Sequence, residues 1–434
     1  MKNGVLRWVG PLSKLADPER RALLDRRGTE DFELRRRVTD ILERVQREGD
    51  VALVALAAEL DKVQLSSLEI PRELWRSALR SLSPSELRAL KHARDNIERA
   101  HRAFRPTSAE VQTEPGVRVG RRPDPLSRVG IYAPGGRAAY PSSLLMGVVP
   151  ARVAGVREVV LCSPPSPSGL PSGLVLAAAE ISGVDRVFAI GGAGAIAAMA
   201  FGTQTVPRVD RIIGPGNAYV VEAKLQVSRW VGIDSPAGPS EILVIADSEA
   251  EPAAIARELL AQAEHDPQAC VVALAIGQTL ATQIVDQVEG LLANAERSKL
   301  ISQALSGRSA VLTVASLQEA IEFSNQFAPE HLMLAVREPE TALESVRNAG
   351  TVFLGVSSSV AFGDYLTGSN HVLPTGGLAR THSGLSTSDF IRWTSYQQVS
   401  PEAADRLAPD VEVLAEAEGL FAHAAAARAW RRAR

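Results

Sequence analysis

The feature that most constrains the fold is an alternation of short β-branched runs with longer helical runs. Runs typical of strands lie at residues 156–162, 185–191 and 210–214, and helical runs at 173–183 and 193–202 separate them. This strand–helix–strand alternation predicts a parallel sheet with helices on both faces.

The same alternation is repeated further along the chain. Strand-like runs at 241–247, 268–277, 309–315 and 350–355 are separated by helical runs at 251–265, 279–295 and 317–327. Two successive doubly wound units predict an α/β protein with two Rossmann-like domains and suggest an internal duplication, although no repeat is evident at the level of residues.

The rest of the chain has other sequence patterns. Residues 1–28 are short and polar, 31–60 and 84–103 have helical periodicity, and the Gly- and Pro-rich stretch 122–141 is typical of a junction. The expected organisation is an N-terminal segment 1–28, a discontinuous first α/β domain 29–130 and 241–385, a second Rossmann-like domain 131–240, and a helical C-terminal tail 386–434.

Composition excludes several classes of protein. The 434 residues carry 47 basic and 50 acidic side chains, which does not favour a nucleic-acid binder. Cys162 and Cys270 both lie in apolar runs, so they are expected to be buried thiols, and two cysteines cannot form a disulfide framework. Neither a signal peptide nor a membrane span is expected, so a cytoplasmic protein without a membrane partner is predicted.

Three Gly-rich turns are candidate ligand sites. Residues 192–197 (GAGAIA) follow a strand and open a helix, and Asp210 comes 18 residues after Gly192, as in a dinucleotide-binding fingerprint. Small residues there are equally typical of close helix–strand packing. The turn at 214–217 ends in Asn217, whose amide can face a ligand. Tyr132 is expected at an exposed turn, where its ring can stack on a flat ligand.

Histidines give the second set of candidates. His92 and His101 lie on a charged helix and are expected to be solvated. Gln262 and His265 are three residues apart at a helix end and share one face. Together with Asp364 and a distant histidine they can surround a divalent metal, and a set without thiolate suits an N/O site for zinc or a similar metal. Spacing alone leaves open that these histidines bind no metal.

Several long motifs then resemble one family. The segments IDSPAGPSEILVIAD, ELLAQAEHD, GPGNAYVVEAK, APEHL and GDYLTGSNHVLPT occur in the order found in histidinol dehydrogenases, and the resemblance runs from Gly49-Asp50 to the C-terminal helix. It implies oxidation of L-histidinol to L-histidine by two NAD in succession, at one active site with one bound zinc per subunit.

The resemblance also implies roles for individual residues. The implied zinc ligands are Gln262, His265, Asp364 and His423, and the substrate supplies further ligands. Ser240, His331 and Glu418 would contact the substrate together with those ligands, and Glu330 and His331 would be the acid–base pair. Tyr132 and Asn217 would contact NAD. Gly194 stands where family members often have a Gln that touches NAD, which puts that contact in question. Because NAD lies differently in this family than in an ordinary Rossmann site, Asp210 is not expected to bind ribose.

The chemistry suits these residues. His331 has a reference pKa near neutral and can take the hydroxyl proton, while Glu330 can activate the water that adds to the aldehyde. Zinc would mainly orient the substrate. The family implies that His423 comes from a partner's tail, so a homodimer with exchanged tails is expected.

Two alternatives remain. A paralogue of the same fold would oxidise another alcohol, such as a sulfonated diol, but Glu418 and His423 match the positions that recognise the amino and imidazole groups. A non-catalytic metabolite-binding protein would have no need of the adjacent pair Glu330 and His331.

Overall fold

The computed structural model describes residues 5–26, 31–135 and 139–431. The strands, in chain order, are β1 (Trp8–Pro11), β2 (Ala109–Glu114), β3 (Val117–Pro125), β4 (Arg128–Tyr132), β5 (Glu158–Ser163), β6 (Arg186–Ala189), β7 (Arg211–Ile213), β8 (Gly232–Ile233), β9 (Glu241–Ala246), β10 (Cys270–Ile276), β11 (Arg308–Val314), β12 (His331–Ala335), β13 (Thr351–Leu354) and β14 (Ile391–Val399).

The α-helices lie mostly between these strands. In chain order they are α1 (Asp17–Leu24), α2 (Phe32–Glu48), α3 (Asp50–Leu56), α4 (Arg72–Arg80), α5 (Pro84–Ala103), α6 (Pro141–Ala154), α7 (Gly173–Ser182), α8 (Gly192–Phe201), α9 (Ala218–Val227), α10 (Pro252–Ala263), α11 (Gln278–Leu292), α12 (Ser298–Gly307), α13 (Leu317–Phe327), α14 (Pro339–Leu343), α15 (Val360–Tyr365), α16 (Pro401–Ala417) and α17 (Phe421–Arg428).

Two parallel sheets form the framework, which confirms the predicted α/β class. Sheet A has the order β1-β11-β10-β9-β12-β13, and sheet B has the order β6-β5-β4-β7-β8. Counted from β9 in sheet A and from β4 in sheet B, both follow the order 3-2-1-4-5, with β1 added at one edge of sheet A. A third, antiparallel sheet has the order β14-β3-β2.

Each parallel sheet is buried on both faces, as its continuous apolar strands predict. Along β9, Ile242 and Val244 pack with α10, α11 and α12, whereas Leu243 and Ile245 pack with α1 and α13. Along β5, alternate residues likewise enter two different clusters of apolar side chains.

The helices of residues 32–103 pack on sheet B, although the sequence grouped 29–130 with 241–385. Val38, Leu42 and Val45 of α2 lie in one cluster with Val160 of sheet B. On the other face, α4 pairs with α7 and α5 with α6. The apolar stripes of these helices cover the two faces of the nearest sheet, and periodicity alone could not tell which sheet that is.

Three segments contain structure that the sequence patterns did not indicate. The N-terminal segment contributes β1, the edge strand of sheet A, and Leu12 and Leu23 are buried. Much of the described part of 122–141 is strand, in β3 and β4, because its glycines and prolines are accommodated along an extended backbone. Within the tail 386–434, strand β14 pairs with β3 and precedes the helices α16 and α17.

Within the described ranges, no helix has both the length and the apolar character needed to cross a membrane.

Candidate active site

Glu330 and His331 lie at the amino-terminal edge of sheet A. His331 is the first residue of β12 and pairs in register with Ile242, so it lies beside the start of β9. Both side chains are buried, with 6% and 4% exposure. Ligands of open α/β sheets usually bind at the carboxyl ends of the strands, and this pair lies at the opposite edge.

His331 is held through one ring nitrogen. Nδ1 donates to the carbonyl oxygen of Glu241 at 2.9 Å. Nε2 is buried, lies 3.7 Å from a carboxylate oxygen of Asp364, and has no hydrogen-bond partner among the described residues. Because a carbonyl can only accept a hydrogen bond, Nδ1 carries a proton and Nε2 has the lone pair in the neutral ring.

Two carboxylates make this imidazole basic. Burial lowers the pKa of His331, but the charge of Glu330 and the interaction with Asp364 outweigh it and raise the pKa to about 10. Burial raises the pKa of Glu330, and the neighbouring His331 opposes that rise only in part. Glu330 Oε2 accepts a hydrogen bond of 2.7 Å from the main-chain amide of Glu241.

Three of the predicted metal ligands lie on or directly after two neighbouring helices at this edge. Gln262 is in the last turn of α10, His265 is in the turn that follows this helix, and Asp364 is on α15. Glu258, one turn before Gln262, accepts a hydrogen bond of 3.1 Å from the amide of Val360, the first residue of α15. This bond fixes the start of α15 against α10, so Asp364 lies near the C-terminal end of α10 and the turn that carries His265.

Charge couples Asp364 to the surrounding histidines. Burial raises the pKa of the Asp364 carboxyl, but the close approach and charge of His331, with smaller contributions from His371 and His265, hold it below its usual value. His371 Nδ1 donates to the Asp364 carbonyl at 2.8 Å, and its Nε2 lies 3.0 Å from Ser143 Oγ on α6. His371 therefore links Asp364 to the helices of sheet B.

The two remaining tail residues do not join this group within one chain. Glu418 caps α16 and His423 lies on α17, on either side of the turn at Gly419, rather than on one helix. Both are exposed. No described group of three or more His, Cys, Asp or Glu side chains is placed to hold a metal, so His423 is apart from His265 and Asp364.

The Gly-rich turns lie at the carboxyl edge of sheet B. Tyr132 ends β4 and is only 4% exposed, so the expected exposed turn was wrong. Its hydroxyl accepts a hydrogen bond of 3.1 Å from the amide of Gly192, and burial raises its pKa to about 12. The ring is enclosed because strand β4 is central in its sheet.

Asn217 and the turn before it are tightly held. Its side-chain oxygen accepts from the amides of Tyr219 and Val220 and so caps α9. The Gly214 amide donates to Asp234 at 2.8 Å, and Lys224 donates to the Gly214 carbonyl at 3.0 Å. Sequence reasoning missed Lys224 and Asp234; the signal was a single lysine among the apolar residues of one helical run.

Gly194, Asp210 and Ser240 each make contacts within the fold. A Cβ at Gly194 would lie 3.3 Å from Leu56, so this position faces α3. Asp210 accepts hydrogen bonds from the amides of Ser127 and Arg128, at the amino-terminal side of sheet B. Ser240, half-buried, immediately precedes β9 and its carbonyl accepts from the Cys270 amide.

One short segment connects the carboxyl edge of sheet B to the amino edge of sheet A. Residues 234–240 run from the end of β8, at the carboxyl edge of sheet B, to the start of β9, at the amino edge of sheet A. Ser240 and the Glu241 main chain therefore follow directly from the segment that fixes the Gly214 turn.

Comparison with known proteins identifies the family. The sequence profile of histidinol dehydrogenase matches residues 24–431. Histidinol dehydrogenase of Methanosarcina barkeri is 45% identical over 419 residues, covering 96% of each chain. That of Nitrosomonas europaea is 47% identical over 400 residues, covering 92% of each.

A solved structure agrees with these sequences. The crystal structure of histidinol dehydrogenase from Elizabethkingia anophelis superposes with a TM-score of 0.94, at 36% identity, and covers 99% of both chains. The profile, the sequences and the structure therefore agree over nearly the whole length. This chain belongs to the histidinol dehydrogenase family, enzymes of histidine biosynthesis.

Proposed function

We propose that this chain oxidises L-histidinol to L-histidine in two successive NAD-dependent steps, through an aldehyde that stays bound, with one zinc per subunit. The observation that carries the proposal is the orientation of His331. Its Nδ1 is bonded to the Glu241 carbonyl, and its buried Nε2 faces the Asp364 carboxylate without a hydrogen-bond partner among the described residues.

The first step removes a hydride from the alcohol carbon and a proton from the alcohol oxygen. With a pKa of about 10, the neutral His331 ring is the minor form near neutral pH, and the step proceeds from that form. His331 Nε2 then takes the hydroxyl proton, and the neighbouring carboxylates of Glu330 and Asp364 stabilise the imidazolium that results. NAD⁺, when bound, accepts the hydride of each step.

The second step begins when water adds to the aldehyde. Glu330 takes a proton from that water, and its burial favours the protonated form that results. The hydrate then loses its second hydride and a hydroxyl proton to give the carboxylate of histidine. Because Glu330 and His331 are adjacent, both proton transfers occur around one substrate carbon.

The donors near Asp364 fit a zinc ion. Gln262 offers an amide oxygen, His265 an imidazole and Asp364 a carboxylate, which is the N/O set that zinc accepts in catalytic sites. Zinc, when bound, orients the substrate and neutralises charge close to Asp364. The Glu258–Val360 hydrogen bond supports this set, because it joins the two helices that carry it.

The NAD-contacting domain is proposed to be 131–240, with Tyr132 and Asn217 as contacts and without a side chain from Gly194. In support, Tyr132 and the turn at 214–217 lie at the carboxyl edge of sheet B, next to the central strand β4, where dinucleotides bind in related folds. The identical strand order of the two sheets supports an origin by duplication.

We propose that a homodimer completes the site, with Glu418 and His423 supplied by the partner's tail. Apolar side chains of the tail are unusually exposed within one chain: Val413 by 67%, Leu414 by 65% and Phe421 by 69%. Such a surface is typical of an interface. Arg428 Nε donates to Glu412 Oε2 at 3.0 Å and so holds α17 against α16.

The enzyme is proposed to act in the cytoplasm, where its buried thiols Cys162 and Cys270 stay reduced.

Substrate preference tests this proposal against the paralogue. The zinc-loaded enzyme is assayed for NADH formation with L-histidinol and with a sulfonated diol at equal concentrations. Turnover of L-histidinol alone supports the proposal. Turnover of the diol alone would assign the chain to another alcohol.

A further inference from the structure

Arg26 and Glu241 form a buried ion pair, and the main chain of Glu241 contacts the proposed acid–base pair. Arg26 Nε is 2.6 Å from Glu241 Oε1, and Nη2 is 3.0 Å from Oε2. The two side chains are 1% and 3% exposed. A two-point contact between a guanidinium and a carboxylate fixes the orientation of both groups.

The main chain of Glu241 holds both members of the acid–base pair. Its amide donates to Glu330 Oε2 at 2.7 Å, and its carbonyl accepts from His331 Nδ1 at 2.9 Å. Any shift of this one residue therefore displaces Glu330 and His331 together.

Arg26 also holds the segment that leads to Glu330. Nη2 donates to the carbonyl of Phe327 at 2.9 Å, and the guanidinium lies 3.5 Å from the centre of the Phe327 ring. Phe327 ends α13, three residues before Glu330. On the other side, the Gly376 amide donates to Glu241 Oε1 at 2.9 Å. Arg26 thus bonds both to Glu241, at the start of β9, and to Phe327, at the end of the helix that precedes Glu330.

We propose that Arg26, acting through Glu241, is a positioning residue for both oxidation steps. The inference rests on the proposed roles of Glu330 and His331. Arg26 touches neither substrate-facing atom of the pair, so its effect is on geometry: displacement of a reacting group by about 1 Å can cost about 100-fold in rate.

The test substitutes Arg26 in the full-length, zinc-loaded enzyme. Arg26→Met keeps an unbranched side chain but removes the charge and the donors. We expect kcat with L-histidinol to fall at least about tenfold, with KM changed less than about threefold, and with unchanged zinc content. Arg26→Lys keeps the charge and loses the two-point contact, so its kcat is expected to lie between those of Arg26→Met and the parent enzyme.

Lost stability must be separated from lost positioning. Leaving the Glu241 carboxylate buried without its partner destabilises the fold, so kcat is expressed per folded molecule at the assay temperature. Glu241→Gln, which keeps the main-chain contacts and the side-chain size, is the second variant if Arg26→Met does not fold. It too is expected to lower kcat more than it raises KM.

Arg152 provides a matched control. It donates to the carbonyls of Gly183 and Val156 at 2.9 Å each, beside sheet B and away from the pair. Arg152→Met is expected to lower stability and leave kcat per folded molecule unchanged. Parent-like kcat in folded Arg26→Met or Glu241→Gln would overturn the inference, as would an equal loss in Arg152→Met. No turnover by the parent enzyme would overturn the proposed function, and this inference with it.

Discussion

The Glu330 carboxylate lies 2.7 Å from the main-chain amide of Glu241 and accepts its hydrogen bond. An amide oxygen can accept the same bond, so Glu330→Gln preserves the position of the side chain while removing its ability to take a proton.

We therefore expect Glu330→Gln to slow oxidation of the aldehyde by at least about 100-fold and oxidation of the alcohol much less. Histidinal and L-histidinol are supplied separately and NADH formation is followed with each. Equal losses on the two substrates would mean that Glu330 does not activate water.

Removal of a proposed ligand should remove the metal. His265→Ala deletes the imidazole at the end of α10 while leaving the Glu258–Val360 bond in place. We expect the purified variant to lose its stoichiometric zinc, measured by elemental analysis after dialysis. His92→Ala, at an exposed position on α5, serves as control and should keep it. Full zinc content in His265→Ala would contradict the ligand set.

Exchange of tails predicts recovery of activity on mixing. His265→Ala and His423→Ala enzymes are each expected to be inactive. In a mixed dimer, one site combines an intact His265 with an intact His423, so random reassociation of the subunits should restore about one quarter of the parent activity. No recovery after verified subunit exchange would show that both histidines belong to the same chain's site.

His101 should make stability depend on pH. Its ring is buried, its Nδ1 lies 3.2 Å from Thr387 Oγ1, and burial lowers its pKa from 6.5 to about 4. The unfolded chain therefore binds a proton between these values that the folded chain does not. Stability from this residue is complete above pH 6.5 and declines as the pH falls toward 4, by about 3 kcal/mol in the free energy of unfolding.

Urea unfolding at several pH values checks this effect. His101→Gln should flatten the pH dependence over that range, whereas His92→Gln, which changes an exposed histidine, should retain it. A parent-like slope in His101→Gln would assign the dependence to other groups. The sequence predicted His101 to be solvated because its helix is highly charged, but the helix face that carries His101 packs against the segment containing Thr387.

The parallel sheets were predictable because each central strand is a continuous apolar run. The position of the helices of residues 32–103 was not, because an amphipathic stripe shows that a helix packs without showing on which sheet. The strand β14 and its partners were missed because their side chains are mostly exposed and lack a clear apolar alternation.

For the site, sequence spacing predicted Gln262 and His265 on one helix face; the structure has His265 in the turn just after α10 and brings Asp364 close to it. The holding role of Glu241 was not predictable, since it depends on main-chain groups that pair only when β9 and β12 lie side by side. The enclosure of Tyr132 was missed for a similar reason: the neighbours of β4 are far away in sequence.

The central claim is a four-electron, zinc-dependent oxidation at one site. The most direct measurement is the number of NADH formed per L-histidinol consumed, before chelation, after chelation and after zinc is restored. We predict two NADH per substrate, loss of turnover on chelation and its recovery with zinc. One NADH per substrate with accumulation of the aldehyde, or full turnover without metal, would contradict the account.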